Sequence, residues 1–237
     1  MPRFFEWRNM IFFMPRALSA LPVTLLIVSV ATLSGLVVGL LLAFPRLEKV
    51  PVLSQLCQAL VSFIRGTPIL IQMFIVYYAL PMLLLRIGIN ITRWDKIYFI
   101  YITYGINTGA YFSEIIRSSI LSVPKSQQDA ASAGGLTRAQ SYVRIIIPQS
   151  VVIAIPSLGT SMTSLLQDTS LAFALGILDV IGRVRALGAI TSRILEGYVA
   201  AACIFIILTI ALEKFFGYIE MKTRRHVRPA LNGGYGT

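Results

Sequence analysis

Long apolar runs separated by short polar connectors dominate the chain. Between Arg16 and Arg46 there is no charged residue, and a helix that crosses a bilayer needs about 20 mostly apolar residues. Four further apolar runs predict spans at about residues 69–85, at 97–120, from 145 onwards and at 197–212. We therefore predict an all-α integral membrane protein with about five transmembrane helices, forming a single membrane domain over residues 1–237.

Two of these spans are associated with helix breakers. The segment Arg65-Gly66-Thr67-Pro68 follows a short apolar stretch. Proline lacks a backbone N–H and disfavours a helical conformation in the residue before it. We therefore predict a short helix, a bend, and then the span 69–85. The fourth span is interrupted by Pro148, Pro156 and Gly159.

The two ends of the chain predict its orientation. Residues 1–17 mix arginines with aromatic residues, which indicates an interfacial amphipathic segment with Trp7 at headgroup level. Residues 221–237 form a basic tail that we expect to be flexible. Positive charge favours the cytoplasmic side, so the C-terminus is expected inside. Five spans then place the N-terminus outside.

Small and charged residues within the spans have two possible roles. Gly35 and Gly39 form a small-xxx-small pair that permits close approach of a neighbouring backbone, although glycine is also simply common in membrane helices. Glu114 and Arg117 are three residues apart on one helix and are expected to pair. Arg65 is expected to extend toward lipid phosphates or to cap a helix end.

Composition supports a membrane protein and excludes other classes. Apolar residues make up 56% of the chain and charged residues 13%, against roughly 25% charged in a soluble domain. The net charge is +11, but Lys and Arg lie between apolar runs, as beside anionic lipid headgroups. We therefore expect a lipid bilayer and no nucleic acid as partner. The only histidine is His226 in the tail, and neither a catalytic constellation nor a metal-ligand spacing is present.

The polar segment 122–148 predicts two short helices joined by a turn. Gly134 and Gly135 lie between the helices, and Gly135 suits a left-handed residue after a helix end. Each helix start carries a possible pair of reciprocal capping residues. The pairs are Ser126 with Asp129 and Thr137 with Gln140. The first helix is too short to persist alone in water, so we expect it to dock on another protein.

This loop resembles a known motif. The pattern Asp129-Ala130-Ala131, then Gly135, then Ile145-x-Ile147-Pro148 resembles the EAA loop in permease subunits of bacterial ABC importers. Asp129 replaces the usual Glu, and Ile147 replaces the usual Leu. Flanking stretches resemble the polar amino-acid branch of that family, namely Phe63 to Pro68 with Gln72, Ala110 to Lys125, and Leu165 to Leu171. The resemblance covers residues from about 18 to 220.

The resemblance implies a type I importer fold and a set of partners. These are a second permease copy or a close paralogue, a dimer of ABC ATPase subunits, and an extracytoplasmic solute-binding protein that delivers an amino acid. The chain lacks a phosphate-binding loop of its own, so we expect no cofactor here and ATP in the partner ATPase, at a bacterial cell membrane. The residues expected to couple to the ATPase are Gln128, Asp129, Ala130, Ala131, Gly134, Gly135, Leu136 and Arg138.

A polar stripe marks the fourth span. Ser157, Ser161, Ser164 and Asp168 recur at steps of four, three and four residues, which places them on one helical face. The stripe indicates either a substrate pathway or a hydrogen-bonded contact between two permease subunits. The residues predicted to form the pathway are Thr67, Asn107, Ser161, Ser164, Gln167, Asp168, Thr169 and Ser170.

Asp168 is the candidate partner for the ammonium group of an amino acid. Counted from Pro148 at about 1.5 Å per residue, Asp168 would lie near the outer boundary of the membrane. It reaches the interior only if the helix is tilted, begins below the membrane, or unwinds at Pro156 and Gly159. Otherwise Asp168 is an outer gate or a helix cap.

Other functions remain open from the residues alone. A secondary transporter or channel would work without an ATPase, and a non-transporting scaffold would have no use for the polar stripe. The stretches 107–111 and 119–123 look most like permeases for cystine. They favour L-cystine as the substrate.

Overall fold

The computed structural model describes residues 5–231, and the side chains of residues 5–223. This part of the chain forms ten α-helices, one π-helical segment and one 3-10 segment. The α-helices are α1 Trp7–Leu18, α2 Leu21–Leu47, α3 Leu53–Gly66, α4 Ile69–Leu85, α5 Lys96–Leu121, α6 Lys125–Ala133, α7 Arg138–Ser141, α8 Ile147–Asp168, α9 Val180–Thr191 and α10 Ile194–Leu231. The π-helical segment is Tyr142–Ile146, and the 3-10 segment is Thr169–Leu175.

Within the described residues, three helical stretches are long and apolar enough to cross a membrane. They are Leu21–Leu47, Arg138–Leu175 and Ile194–Thr223. The pair α3 and α4, bent by 113°, makes a fourth if it counts as one span. Helix α5 is 26 residues long and packs between α2, α4 and α8, so its neighbours shield its polar residues from lipid. With α5 counted, the total agrees with the predicted number of about five.

Close packing of α2 on α5 depends on two glycines of α2. A Cβ atom at Gly35 would lie 2.8 Å from Cγ2 of Thr108, and one at Gly39 would lie 2.9 Å from Cβ of Phe112. Both distances are shorter than a van der Waals contact, so any larger side chain would force the helices apart. The glycine pair therefore serves close backbone approach and is not merely typical membrane composition.

The fourth span is continuous, contrary to the predicted interruption at Pro156 and Gly159. Helix α8 runs through both residues. Membrane helices tolerate proline more readily than soluble ones do, because neighbouring groups and local adjustments of the helix can satisfy the backbone. The effect of Pro148 falls on the preceding turn, where the Ile147 N–H donates to the Tyr142 carbonyl in a π-helical bond. This wider turn relieves the clash between the proline ring and a carbonyl one turn earlier.

The C-terminal segment is more helical than the sequence predicts. Helix α10 continues to Leu231, so residues 221–231 are helical where the sequence was interpreted as a flexible tail. Glu, Lys, Met and Arg between residues 213 and 225 are strong helix formers, which explains the extension. Residues 232–237 of that tail lie outside the described residues, as do residues 1–4 of the predicted interfacial segment.

Candidate functional site

A cavity of about 620 Å³ lies between α5 and α8. Its walls carry hydroxyl and amide groups and one carboxylate. They are formed by Asn107, Thr108, Tyr111 and Ile115 of α5 and by Ser157, Thr160, Ser161, Ser164, Leu165, Gln167 and Asp168 of α8. Five of the eight residues predicted for the pathway therefore come together here. They are Asn107, Ser161, Ser164, Gln167 and Asp168.

The other three predicted residues lie elsewhere. Thr169 is fully buried, and its hydroxyl donates to the Leu166 carbonyl at 2.6 Å. Ser170 follows it on the 3-10 segment, beyond the residues that line the cavity. The helix type changes at Thr169, so the face that the stripe follows along α8 does not continue into this segment. Thr67 lies at the bend, and its hydroxyl donates to the Phe63 carbonyl at 2.9 Å.

The sequence interpretation missed cavity residues on both walls. Tyr111 and Ile115 follow Asn107 at steps of four, and Thr160 precedes Ser164 by four, so helical spacing alone would have selected them. Tyr111 is notable because the guanidinium carbon of Arg65 lies 5.4 Å from its ring centroid, within cation–π range. Arg65 thus contacts a wall of the cavity from the bend.

Asp168 is half-buried, and its backbone is fixed against α5. The Tyr104 hydroxyl donates to its backbone carbonyl at 2.5 Å, and Tyr104 is fully buried in α5. Tyr104 is eight residues from the first residue of α5, which corresponds to about 12 Å along the helix. Of the routes considered for bringing Asp168 inside, unwinding at Pro156 does not occur. The helical stretch that contains α8 begins earlier than Pro148, at Arg138.

A group of ionic contacts joins α2 and α5. Glu114 pairs with Arg117 as predicted. Arg46 of α2, which the sequence did not indicate, also pairs with Glu114 at 2.7 Å. The side chains of all three residues are mostly shielded from solvent. The network therefore ties the end of α2 to α5, a contact that sequence spacing alone does not reveal.

The first helix of the loop begins differently from the prediction. Ser126 does not cap it; α6 starts at Lys125, with Pro124 at the N-cap position and no side-chain cap bond. The Pro124 carbonyl already accepts from the Gln127 N–H at 3.0 Å. Proline suits a helix start because it has no N–H to satisfy, so Ser126 falls inside the helix and the predicted pair with Asp129 is not formed.

The turn and second helix match the prediction. Gly135 has a φ of +80°, and the Leu136 and Gly135 N–H groups donate to the Ala131 and Ser132 carbonyls, as in a Schellman motif. The Thr137 hydroxyl accepts from the Gln140 N–H at 3.3 Å, and the Gln140 side chain accepts from the Thr137 N–H at 3.0 Å. The capping box predicted at Thr137 is therefore confirmed.

The loop is anchored at two points and exposed between them. Ala131 is buried, while Asp129, Ala130 and the Gly134–Gly135 turn are exposed, and Gln128 and Leu136 are half-buried. One guanidinium nitrogen of Arg138, Nη2, donates to both carboxylate oxygens of Glu48 at the end of α2, at 2.9 and 3.1 Å. This contact fixes α7 against the bundle, so the Arg138 charge is engaged within the chain.

A bundle of membrane-spanning helices with a polar cavity and an exposed helix-turn-helix loop defines a transmembrane transport subunit. The family described as "Binding-protein-dependent transport system inner membrane component" matches residues 35–225. The chain belongs to this family. It is therefore a bacterial inner-membrane permease component of an ABC transporter, and ATP hydrolysis belongs to a partner ATPase.

Relatives agree with this family over most of the chain. The L-cystine transport system permease protein TcyL of Bacillus subtilis is 39% identical over 90% of each chain. TcyB, another L-cystine permease of that organism, is 37% identical over 81% of this chain and 80% of its own. A crystal structure of an amino acid ABC transporter with histidines matches with a TM-score of 0.82 and 27% identity, over 92% of this chain and 99% of that one. The resemblance that the loop motif indicated is confirmed.

Proposed function

We propose that this chain forms the membrane pathway of an ATP-driven importer of an amino acid, and that the amino acid is L-cystine. The observation that carries the proposal is the polar cavity between α5 and α8, with Asp168 in its wall. The names of the relatives TcyL and TcyB support the choice of L-cystine. The cavity volume of about 620 Å³ falls in the usual range for small-molecule sites.

The groups in the cavity suit a zwitterion. An ammonium and a carboxylate are each costly to move through an apolar region unless a partner meets them. Asp168 offers a negative charge for the ammonium group, and no described residue donates a hydrogen bond to its carboxylate. The hydroxyls of Ser161 and Ser164 and the amide of Gln167 bind either end of the substrate.

A second permease chain is expected to cover the cavity. Ser157, Thr160, Ser164 and Gln167 are exposed although they belong to a membrane-spanning helix, and lipid does not satisfy such polar groups. Two copies, or this chain and a close paralogue, facing each other would enclose these residues in a shared pathway.

The exposed part of the loop is the expected contact with the ATPase. Asp129 and Ala130 lie on its free surface, whereas Ala131 and Arg138 hold it to the bundle. ATP binds in the partner ATPase, and its closure then moves the loop only through contacts that differ between the two states. In this arrangement the loop and the C-terminus face the cytoplasm. The N-terminus faces outside, where a binding protein delivers the substrate.

The test is transport of radiolabelled L-cystine by the complete reconstituted transporter. The variant Asp168→Asn removes the charge and keeps the shape of the side chain. We expect its half-saturation concentration to rise at least about tenfold, since a hydrogen bond to a charged group contributes about 1.5–3 kcal/mol. Asp95→Asn is the matched control, because Asp95 is an exposed carboxylate that does not line the cavity.

Two other results would change the conclusion. A lost maximal rate with unchanged half-saturation would assign Asp168 to a gate rather than to the binding site. Absence of L-cystine transport by the wild type, with another amino acid transported instead, would contradict the choice of substrate.

A further inference from the structure

The bend between α3 and α4 is held by one buried side chain, that of Gln72 in α4. A helix leaves its last four backbone carbonyls without intrahelical partners. The Gln72 Nε2 group donates to the carbonyls of Ile64 at 2.7 Å and Thr67 at 3.0 Å, and to the Thr67 hydroxyl at 2.8 Å. Because Gln72 is only 7% exposed, these bonds take the place of water at the end of α3.

These contacts determine which way round the Gln72 amide lies. Backbone carbonyls accept hydrogen bonds and never donate them, so the Nε2 side of the amide must face the bend. The Thr67 hydroxyl donates its own hydrogen to the Phe63 carbonyl, so it also accepts from Gln72. The Oε1 atom therefore faces α5, where only a donor can pair with it.

Asn107 of α5 supplies that donor. Its Nδ2 group donates to Gln72 Oε1 at 3.0 Å, which turns the other end of the amide, Oδ1, away from Gln72. Asn107 lines the cavity, and no described residue donates a hydrogen bond to its Oδ1. The cavity therefore receives a hydrogen-bond acceptor from α5 in addition to the Asp168 carboxylate from α8.

We propose that Gln72 is a positioning residue that sets the polarity of Asn107, so that the cavity presents Oδ1 and not an N–H to an ammonium group of the substrate. This inference rests on the proposed function, since it places an amino acid in the cavity. An unrestrained asparagine turns either end of its amide to a ligand. An oxygen attracts an ammonium group and an N–H repels it, so Gln72 links the geometry of the bend to substrate binding.

The test compares two variants of Gln72 in the complete reconstituted transporter, with radiolabelled L-cystine as the probe. Gln72→Met keeps the length of the side chain but removes the acceptor, so Asn107 is free to turn. Gln72→Glu keeps an oxygen toward Asn107 in either protonation state, while its ionised form loses the donor bonds to the bend. We expect the half-saturation concentration to rise at least about tenfold in Gln72→Met and less than about threefold in Gln72→Glu.

A purely structural role for Gln72 predicts the opposite order. An ionised carboxylate facing the carbonyls of Ile64 and Thr67 would disturb the bend more than a methionine does. Equal half-saturation values for the two variants, or a higher value for Gln72→Glu, would overturn the proposal. Thr103→Val is the matched control, because the buried Thr103 hydroxyl of α5 donates to the Phe99 carbonyl of its own helix and Thr103 does not line the cavity, so its half-saturation should stay near the wild-type value.

The double variant Gln72→Met/Asn107→Asp is expected to recover substrate binding, and a purely structural role of Gln72 would not explain that recovery. A carboxylate carries oxygen at both ends, so Asn107→Asp needs no neighbour to set its polarity. Added to Gln72→Met, it should return the half-saturation concentration to within about threefold of wild type, and no recovery would contradict the proposal.

Failure of a variant to assemble and absence of transport by the wild type are distinguished from failure of the proposal. If Gln72→Met fails to assemble with the ATPase, Asn107→Leu is measured in its place. This variant removes the Asn107 Oδ1 acceptor and keeps the contacts of Gln72 at the bend. Its half-saturation must then rise about tenfold, and an unchanged value would overturn the proposal. Absence of transport of any amino acid by the wild type would instead contradict the proposed function, and this inference with it; transport of an amino acid other than L-cystine would change only the probe used for these variants.

Discussion

Two breaks between helices show how differently this chain ends a helix. The turn between α6 and α7, residues 134–137, is exposed and carries its own hydrogen-bonding groups, a Schellman turn at Gly135 and a capping box at Thr137. The bend between α3 and α4, residues 66–68, has no such local motif. The Thr67 hydroxyl satisfies the Phe63 carbonyl, and Gln72 satisfies the carbonyls of Ile64 and Thr67. Both breaks are largely exposed, but the loop turn is held by groups of its own residues, whereas the bend is held by the buried Gln72 side chain of the next helix.

The glycines at the two breaks sharpen this difference. Gly135 has a φ of +80°, a conformation that side chains with a Cβ atom disfavour. Gly66 has no positive φ, and a Cβ atom placed there meets nothing within 4 Å. Glycine is therefore required by the backbone at the exposed turn and not at the bend.

The largest expected effect comes from Gly135→Asp. The substitution places a side chain on a left-handed backbone, at a cost of about 1–2 kcal/mol, and displaces α6 from its contact with the ATPase. We expect transport to fall at least about tenfold while the protein still inserts in the membrane. Uptake and substrate-stimulated ATPase activity of the reconstituted complex measure this.

Gly134→Ala is the control for this variant. Gly134 lies in the same turn with a φ of −76°, and an added Cβ meets only ordinary contacts at 3.5 Å. Near-normal transport is therefore expected. Normal stimulated ATPase activity in Gly135→Asp would show that the geometry of the turn does not govern coupling.

The N-cap of α9 at Asp179 is buried, whereas the N-cap of α7 at Thr137 is exposed. Asp179 caps α9 by accepting from the Gly182 N–H at 2.8 Å. Its other carboxylate oxygen is buried without a hydrogen-bond partner. Burial raises the pKa of this carboxyl group from 3.8 to about 6, so the folded state favours the protonated form. The stabilisation of the folded state by protonated Asp179 is present in full below about pH 4 and is lost as the pH rises to about 6.

We expect Asp179→Asn to remove this pH dependence. Thermal unfolding of the complete complex between pH 4 and 6.5 should show the wild type losing up to about 3 kcal/mol relative to the variant as the pH rises. Asp95→Asn, at the exposed cap of α5, is the control and should leave the pH dependence unchanged. Parallel curves for wild type and Asp179→Asn would contradict the expectation.

A smaller effect is expected at the exposed cap. Thr137→Ala removes the hydroxyl that accepts from the Gln140 N–H, which costs a helix start about 1 kcal/mol. We expect faster hydrogen exchange at the first amides of α7 and ATPase stimulation that is lower by up to about fivefold, the factor that corresponds to about 1 kcal/mol. Thr137→Asn, which restores a capping oxygen, should recover both. Unchanged exchange in Thr137→Ala would mean that the Arg138–Glu48 pair alone orders this helix.

The smallest effect is expected at Gly66. Gly66→Ala meets no obstructing atom and favours the helical conformation by about 0.5–1 kcal/mol, so transport and thermal stability should equal or slightly exceed those of the wild type. Uptake and unfolding of the reconstituted complex measure this. A strong loss of transport would show that the bend needs flexibility at Gly66 rather than the contacts of Gln72.

Particular residues show how far prediction from the sequence reached. The span 97–120 agrees with α5, Lys96–Leu121, within one residue at each end, and the break at Arg65 to Pro68 and the capping box at Thr137 were also correct. These features depend on residues within one or two helical turns of each other. The predicted cap at Ser126 was wrong because Pro124 had already started the helix.

The cavity could be predicted only in part. The stripe on α8 follows from helical spacing, but the opposing wall at Asn107 and Tyr111 depends on which helix packs against it. Counting residues from Pro148 missed the start of this helical stretch, because α7 and the π-helical segment extend it to Arg138. The hydrogen bond from Tyr104 to Asp168 joins residues 64 positions apart.

The sequence by itself determined that this is a membrane protein with an exposed capped loop, since apolar run length and local capping chemistry act over short distances. It also determined the family, since the motifs stand in order along the chain. Only the tertiary structure decided which polar residues share a cavity and which way round the Asn107 amide lies. The reason is physical: a buried polar group takes its orientation from the partner that satisfies it, and Gln72, 35 residues away, becomes that partner only after α4 has packed on α5.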